Sequence, residues 1–71
     1  MDPYEKLANA IVLETAKDYR KALKKLSKYP SNADALIEKE KCERFFRSKW
    51  YVGLTSVDGE MLIRKLQEEV Q

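Results

Sequence analysis

The chain has 71 residues, of which 37% are charged, yet its formal net charge at pH 7 is only +2. This length fits one domain with a thin core, and the charge balance is typical neither of an acidic DNA mimic nor of a strongly basic nucleic-acid coat. A single cysteine and the lack of histidine exclude disulfide staples and a zinc site built on Cys and His ligands. We therefore predict no metal and no cofactor.

The first predicted helix covers residues 3–28. Asp2 suits the N-cap and Pro3 the first helical position, and the helix should stop before Tyr29 because a residue that precedes proline disfavours helical angles. Apolar residues recur at spacings of three and four and form one stripe on a helical wheel. The stripe consists of Tyr4, Ala8, Ile11, Val12, Ala16, Tyr19, Ala22, Leu23 and Leu26. At 1.5 Å per residue this helix is about 38 Å long, so two shorter helices cannot cover it fully.

The second predicted helix covers residues 33–51. Ser31 is the favoured N-cap because Asp34 follows three residues later, and Asn32 is the alternative. The link between the first two helices is only a few residues long, so we expect them to form an antiparallel hairpin.

The end of the second predicted helix is rich in aromatic residues, which divide between two faces of a helical wheel. Phe46 and Trp50 share the face that we assign to the core. Phe45 and Tyr51 point elsewhere, so one of them should be exposed or lie at an interface. Cys42 shares the face of Phe46, which favours a buried thiol over a reactive one.

The third predicted helix covers residues 59–70, with Asp58 as the favoured N-cap and Thr55 as the competing one. Residues 1–71 are thus predicted to form a single all-α domain of three helices. A long antiparallel hairpin of helices one and two is crossed by a shorter C-terminal helix. The predicted core contains Ile11, Tyr19, Leu23, Phe46, Trp50, Leu62 and Leu66.

Two basic features indicate a binding surface. Helix one carries a row of lysines opposite its apolar stripe, and residues 44–51 interleave basic and aromatic groups. Both could serve phosphate contact and base stacking. Arginine and aromatic residues also lead at protein interfaces, however, and a lysine row often only keeps a small protein soluble. The candidate surface for an anionic ligand or a partner consists of Lys17, Lys21, Lys24, Lys28, Arg44, Arg47 and Tyr51.

Leu7 and Leu13 fall outside the apolar stripe of helix one. Because so small a chain has few other ways to gain stability, they favour self-association into a homo-oligomer. Catalysis is not expected, since there is no imidazole base and the two glycines do not form a phosphate-binding loop. We predict that the protein is not an enzyme.

The N-terminal residues predict a cytoplasmic protein. Residues 2–6 carry charges where a signal peptide would need an apolar stretch, and the one thiol has no disulfide partner. No apolar run approaches the roughly 20 residues needed to cross a bilayer, so we expect no membrane contact.

Four groups of residues carry a resemblance to known proteins. They are Ile11-Val12-Leu13, Asp18-Tyr19-Arg20, Arg44-Phe45-Phe46-Arg47-Ser48 with Trp50-Tyr51, and Leu54-Thr55 with Val57-Asp58-Gly59-Glu60 and Leu62-Ile63. In these groups the chain resembles short, mostly uncharacterised proteins encoded by phages and prophages of Gram-positive bacteria. The resemblance covers most of the chain. It implies an origin, and hence the cytoplasm of a bacterial host, but no assigned activity and no functional residues.

These features together predict a non-enzymatic phage accessory protein that binds and modulates a host or phage macromolecule, with a protein as the favoured partner. Counter-defence, the inhibition of a bacterial immune system, is the setting that the resemblance implies. Two alternatives stay open. One is a nucleic-acid-binding protein, and the other is an oligomeric sponge that holds a small nucleotide signal between subunits.

Overall fold

The structure, a computed structural model, describes residues 3–70, with side chains from Lys6 onward. Two predictions, that Asp2 caps the first helix and that Tyr4 is buried, concern side chains outside the described part. The described residues form four helices and no strand, in the order α1 (Pro3–Lys28), α2 (Ala33–Phe46), α3 (Lys49–Leu54) and α4 (Gly59–Val70). The all-α prediction is confirmed, but these residues contain four helices where three were predicted.

α1 is the longest helix and sets the long axis of the molecule, whose extents are 41 × 20 × 18 Å. α2 and α4 pack on its C-terminal half, where Tyr19 is hydrogen-bonded to Glu43 of α2 and to Gln67 of α4. α3 lies beside the N-terminal half of α1. The side of that half turned away from α3 is uncovered, as the 66% exposure of Leu13 shows.

The second predicted helix is divided at Ser48, which caps α3. The Ser48 hydroxyl donates to the carbonyl oxygen of Phe45 (2.6 Å) and accepts a hydrogen bond from the amide of Tyr51 (3.2 Å). Such local bonds offer the backbone an alternative to a continued helix. The restart changes the direction of the following side chains, so Tyr51 is 1% exposed and Trp50 is 70% exposed. The assignments of Trp50 to the core and of Tyr51 to the surface are therefore wrong.

The other helix caps follow the polar side chains that precede each helix. Asn32, the alternative to Ser31, caps α2 by accepting a hydrogen bond from the amide of Ala35 (2.9 Å). Asp58 caps α4 through the amide of Glu60 (3.0 Å), as favoured from the sequence. Thr55 instead bonds to the amide two residues on and stabilises the turn before α4.

The core is an aromatic cluster joined to apolar residues of α4. The ring of Phe46 lies 5.8 Å from that of Tyr19 and 5.7 Å from that of Tyr51, both nearly perpendicular. Such edge-to-face pairs are favourable beyond the area that they bury. Ile63 and Leu66 complete the cluster. Of the other predicted core residues, Leu23 and Leu62 are partly buried against this cluster. Ile11 is also only partly buried.

Candidate binding surfaces

An apolar groove of about 350 Å³ lies between the N-terminal half of α1 and α3. We call it the α1–α3 groove. Its walls are Leu7, Ala8 and Ile11 on α1, and Lys49, Trp50, Gly53 and Leu54 on α3. Ser48 creates this groove, because the restarted helix presents the indole of Trp50 next to α1 and not in the core.

The rim of the groove combines a large exposed aromatic ring with an exposed leucine. Trp50 is 70% exposed and Leu7 is 61% exposed. A Cβ atom added at Gly53 would meet no atom within 4 Å, so this glycine leaves one wall open. Among the described side chains, Lys49 is the one charged residue of the lining. Exposed apolar surface with a polar edge is typical of interaction sites, and tryptophan is enriched at interface hot spots.

The row of lysines on α1 forms a second surface, which we call the lysine row. Lys17, Lys21, Lys24 and Lys28 are all exposed, on the side of α1 away from the core. None of the four forms an ion pair among the described side chains. By contrast, Arg20 pairs with Glu69 of α4 at 2.7 Å, and Lys39 pairs with Glu43 at 2.8 Å. The lysine row is therefore a run of positive charge along one face of α1 in which no member forms an ion pair with a described side chain.

The predicted basic and aromatic surface is not continuous. Arg44 on α2 and Arg47 just after it are both exposed. Arg47 is bound through its Nε to Glu60 of α4. Tyr51, the aromatic member of the predicted set, lies in the core, and its hydroxyl finds no hydrogen-bond partner among the described residues. The aromatic member of the predicted surface is therefore not available to a ligand.

A polar network that the sequence did not reveal ties three helices together. The hydroxyl of Tyr19 donates to Glu43 Oε2 at 2.7 Å and accepts a hydrogen bond from Gln67 at 3.1 Å. Burial and the bond to Glu43 raise the pKa of Tyr19 above its usual value. Burial also acts upward on the pKa of Glu43, but the hydrogen bonds from Lys39 and Tyr19 outweigh it and lower that pKa. Only the spacing of four between Lys39 and Glu43 signals part of this network in the sequence.

This network predicts a loss of stability at both ends of the pH scale. The folded chain holds the Tyr19 proton more tightly than the unfolded chain. The resulting stabilisation is complete below about pH 10, the usual tyrosine pKa, and is lost as the pH rises above it. For Glu43 the sign is opposite, so its contribution is present above about pH 4.3 and is lost as the pH falls. Urea unfolding at pH 3, 7 and 11 should show the largest free energy at pH 7.

Two variants test which residues cause the loss of stability at high pH and at low pH. Tyr19→Phe removes the titrating phenol and should reduce the alkaline loss, leaving the parts due to Tyr51 and Cys42, whose pKa values burial also raises. Glu43→Gln should reduce the fall in the free energy of unfolding between pH 7 and pH 3. A parent protein with the same unfolding free energy at pH 7 and pH 11 would contradict the role assigned to the tyrosines.

Cys42 lies in the core at 3% exposure, as its position on the face of Phe46 predicts. Burial raises the pKa of its thiol to about 11. The thiolate is the reactive form of cysteine, so this side chain is held in the unreactive form at neutral pH.

Comparison with known proteins adds no further guide: no family model matches the chain, and neither curated proteins nor solved structures give a match. Within residues 3–70, no cluster of three or more acidic or cysteine side chains is placed to hold a metal ion. None of the helices in the same range is long and apolar enough to cross a membrane. The function must therefore be argued from the two surfaces.

Proposed function

We propose that this chain is a non-enzymatic binding protein that docks on another protein through the α1–α3 groove, with Trp50 as its anchor. The observation that carries the proposal is the 70% exposure of Trp50 beside an apolar groove. The partner is a host or phage protein, and the setting is counter-defence. These two parts of the proposal rest on the resemblance to phage proteins.

The mostly apolar lining of the groove fits a protein partner. The groove's volume of about 350 Å³ is at the lower end of the range for small-molecule pockets. From Lys6 onward, its lining offers one charged group for orientation. An apolar side chain of a partner could lie against Leu7 and Leu54 while the indole of Trp50 covers it. Interfaces concentrate their binding energy in a few such aromatic anchors.

Substitutions in the groove should abolish partner binding without unfolding the protein. Trp50→Ala removes the anchor and should weaken binding by about 30-fold or more, since hot-spot truncations cost about 2 kcal/mol or more. Gly53→Leu should block the groove, because the space beside this glycine is empty. Tagged protein should capture a defined partner from bacterial lysate, identified by mass spectrometry, and both variants should lose it.

Val52→Ala is the matched control for this experiment. Val52 is 74% exposed on the same helix but does not line the groove, so its variant should keep the partner. Capture that is indifferent to both Trp50→Ala and Gly53→Leu would contradict docking through the groove.

Nucleic-acid binding is a second candidate, favoured by the lysine row, whose four members have no acidic partner among the described side chains. Capture repeated with and without nuclease separates the candidates. A nuclease-sensitive recovery, lost when Lys17, Lys21 and Lys24 are neutralised together but kept in Trp50→Ala, would favour phosphate contacts. The alternative of a nucleotide sponge loses Tyr51, which is buried, but Tyr29 next to Lys28 is 61% exposed and could stack on a base.

A further inference from the structure

The uncovered side of the N-terminal half of α1 has a symmetric pattern. Residues 7–13 contain no charged side chain, although 37% of the whole chain is charged. Ala10 lies at the middle of the exposed face. Leu7 lies three residues before it and Leu13 three residues after it. At 100° per residue, each is therefore about 60° from Ala10 around the helix, on opposite sides. The flanking charges are four residues to either side, Lys6 before and Glu14 after.

We propose that this face, which we call the Ala10 face, binds the Ala10 face of a second copy of the chain, with the two α1 helices antiparallel. In an antiparallel pair centred on Ala10, residues whose numbers add up to 20 lie at the same level. Leu7 of one copy is then level with Leu13 of the other. Lys6 is level with Glu14 of the other copy, and the same pairs recur on the other side of the twofold axis.

Charge and side-chain size both favour a second copy as the occupant. Neither Lys6 nor Glu14 forms an ion pair among the described side chains, and in the antiparallel register each would meet the opposite charge of the other copy. A parallel pair would place Lys6 against Lys6 and Glu14 against Glu14, which is repulsive. The small side chain at Ala10 allows the two helices to approach to about 8 Å, the short end of the usual interaxial range.

The proposed interface is short and predicts a weak dimer. It extends over about three helical turns on each chain, which is smaller than the standard interface of roughly 1,600 Å². We therefore expect dissociation in the micromolar range. The Ala10 face shares Leu7 with the α1–α3 groove but leaves Trp50 out. Because both surfaces use Leu7, dimerisation and the proposed partner binding can compete at that residue. Leu13, which is not a groove residue, separates the two in experiments.

Sedimentation equilibrium between about 1 and 500 µM, a range that brackets a weak interface, tests the proposal. The parent should show a monomer–dimer equilibrium. Leu13→Ser should leave only monomer of 8.3 kDa, while Leu36→Ser, at another exposed leucine on α2, should dimerise like the parent. A parent that stays monomeric throughout, or a Leu13→Ser variant that still dimerises, would overturn the proposal.

Charge exchange tests the antiparallel register. Lys6→Glu and Glu14→Lys should each weaken the dimer by about tenfold, because two attractive pairs become repulsive. The double variant Lys6→Glu/Glu14→Lys should recover the parent's dissociation constant. An equimolar mixture of the two single variants should form heterodimers in preference to either homodimer. A double variant that stays as weak as the singles would rule out this register.

Discussion

Replacing Gly59 by alanine should destabilise the protein by about 3 kcal/mol, at the upper end of the cost of overpacking a core. Gly59 begins α4 where that helix crosses the end of α2. A Cβ atom there would lie 2.0 Å from the carbonyl oxygen of Phe46 and 3.4 Å from the ring of Tyr51. The carbonyl belongs to the backbone and cannot turn aside as a flexible side chain would. The start of α4 must therefore move away from the core.

Gly53→Ala is the matched control for this substitution. The chain contains only these two glycines, and neither has a positive φ. A Cβ atom at Gly53 meets nothing within 4 Å, so alanine there should stabilise α3 by up to about 1 kcal/mol through helix propensity. Urea unfolding of both variants measures the contrast. Equal stabilities for Gly53→Ala and Gly59→Ala would show that α4 does not pack this closely on Phe46.

A contrast of similar size is expected between two aromatic residues four positions apart. Phe46→Ala should cost about 3–5 kcal/mol, the usual range for a fully buried phenylalanine. Phe46 is 1% exposed and contacts the rings of Tyr19, Phe45 and Tyr51. Small domains have about 5–15 kcal/mol of stability in total, so this variant should be largely unfolded on mild heating.

Trp50→Ala should change the free energy of unfolding by no more than about 0.5 kcal/mol, as is usual for exposed positions. The larger ring is thus the less important one for folding. Thermal and urea unfolding followed by far-UV circular dichroism measure both effects. If Trp50→Ala unfolds as readily as Phe46→Ala, the indole belongs to the core and the case for the α1–α3 groove fails.

Much of the fold could be predicted from the sequence, because α1 and α4 have regular apolar spacing and clear end signals. Pro30 marks the end of α1, and Asp58 the start of α4. The division at Ser48 could not be predicted in the same way. The helical wheel assumes an unbroken helix, and the hydroxyl of one serine, bonded to Phe45 and Tyr51, decides that it is broken.

The prediction of the candidate sites depended on the division of the helix at Ser48. Once Ser48 restarts the helix, the wheel assigns Trp50 and Tyr51 to the wrong sides, and the α1–α3 groove cannot be found from periodicity. The lysine row was visible in the sequence because α1 is regular along its whole length. Whether a basic residue of α1 has an acidic partner depends on tertiary contacts, as the pair between Arg20 and Glu69 shows. Sequence spacing does not reveal such contacts.

The exposure of Trp50 determines what intrinsic fluorescence reports in this protein. Trp50 is its only tryptophan, and an indole that is 70% exposed already meets water in the folded state. Tryptophan emission should therefore change little on unfolding, which must be followed through the backbone or the buried tyrosines. Emission should instead shift to shorter wavelength when an apolar group covers the ring. The protein thus carries its own optical probe for occupation of the α1–α3 groove.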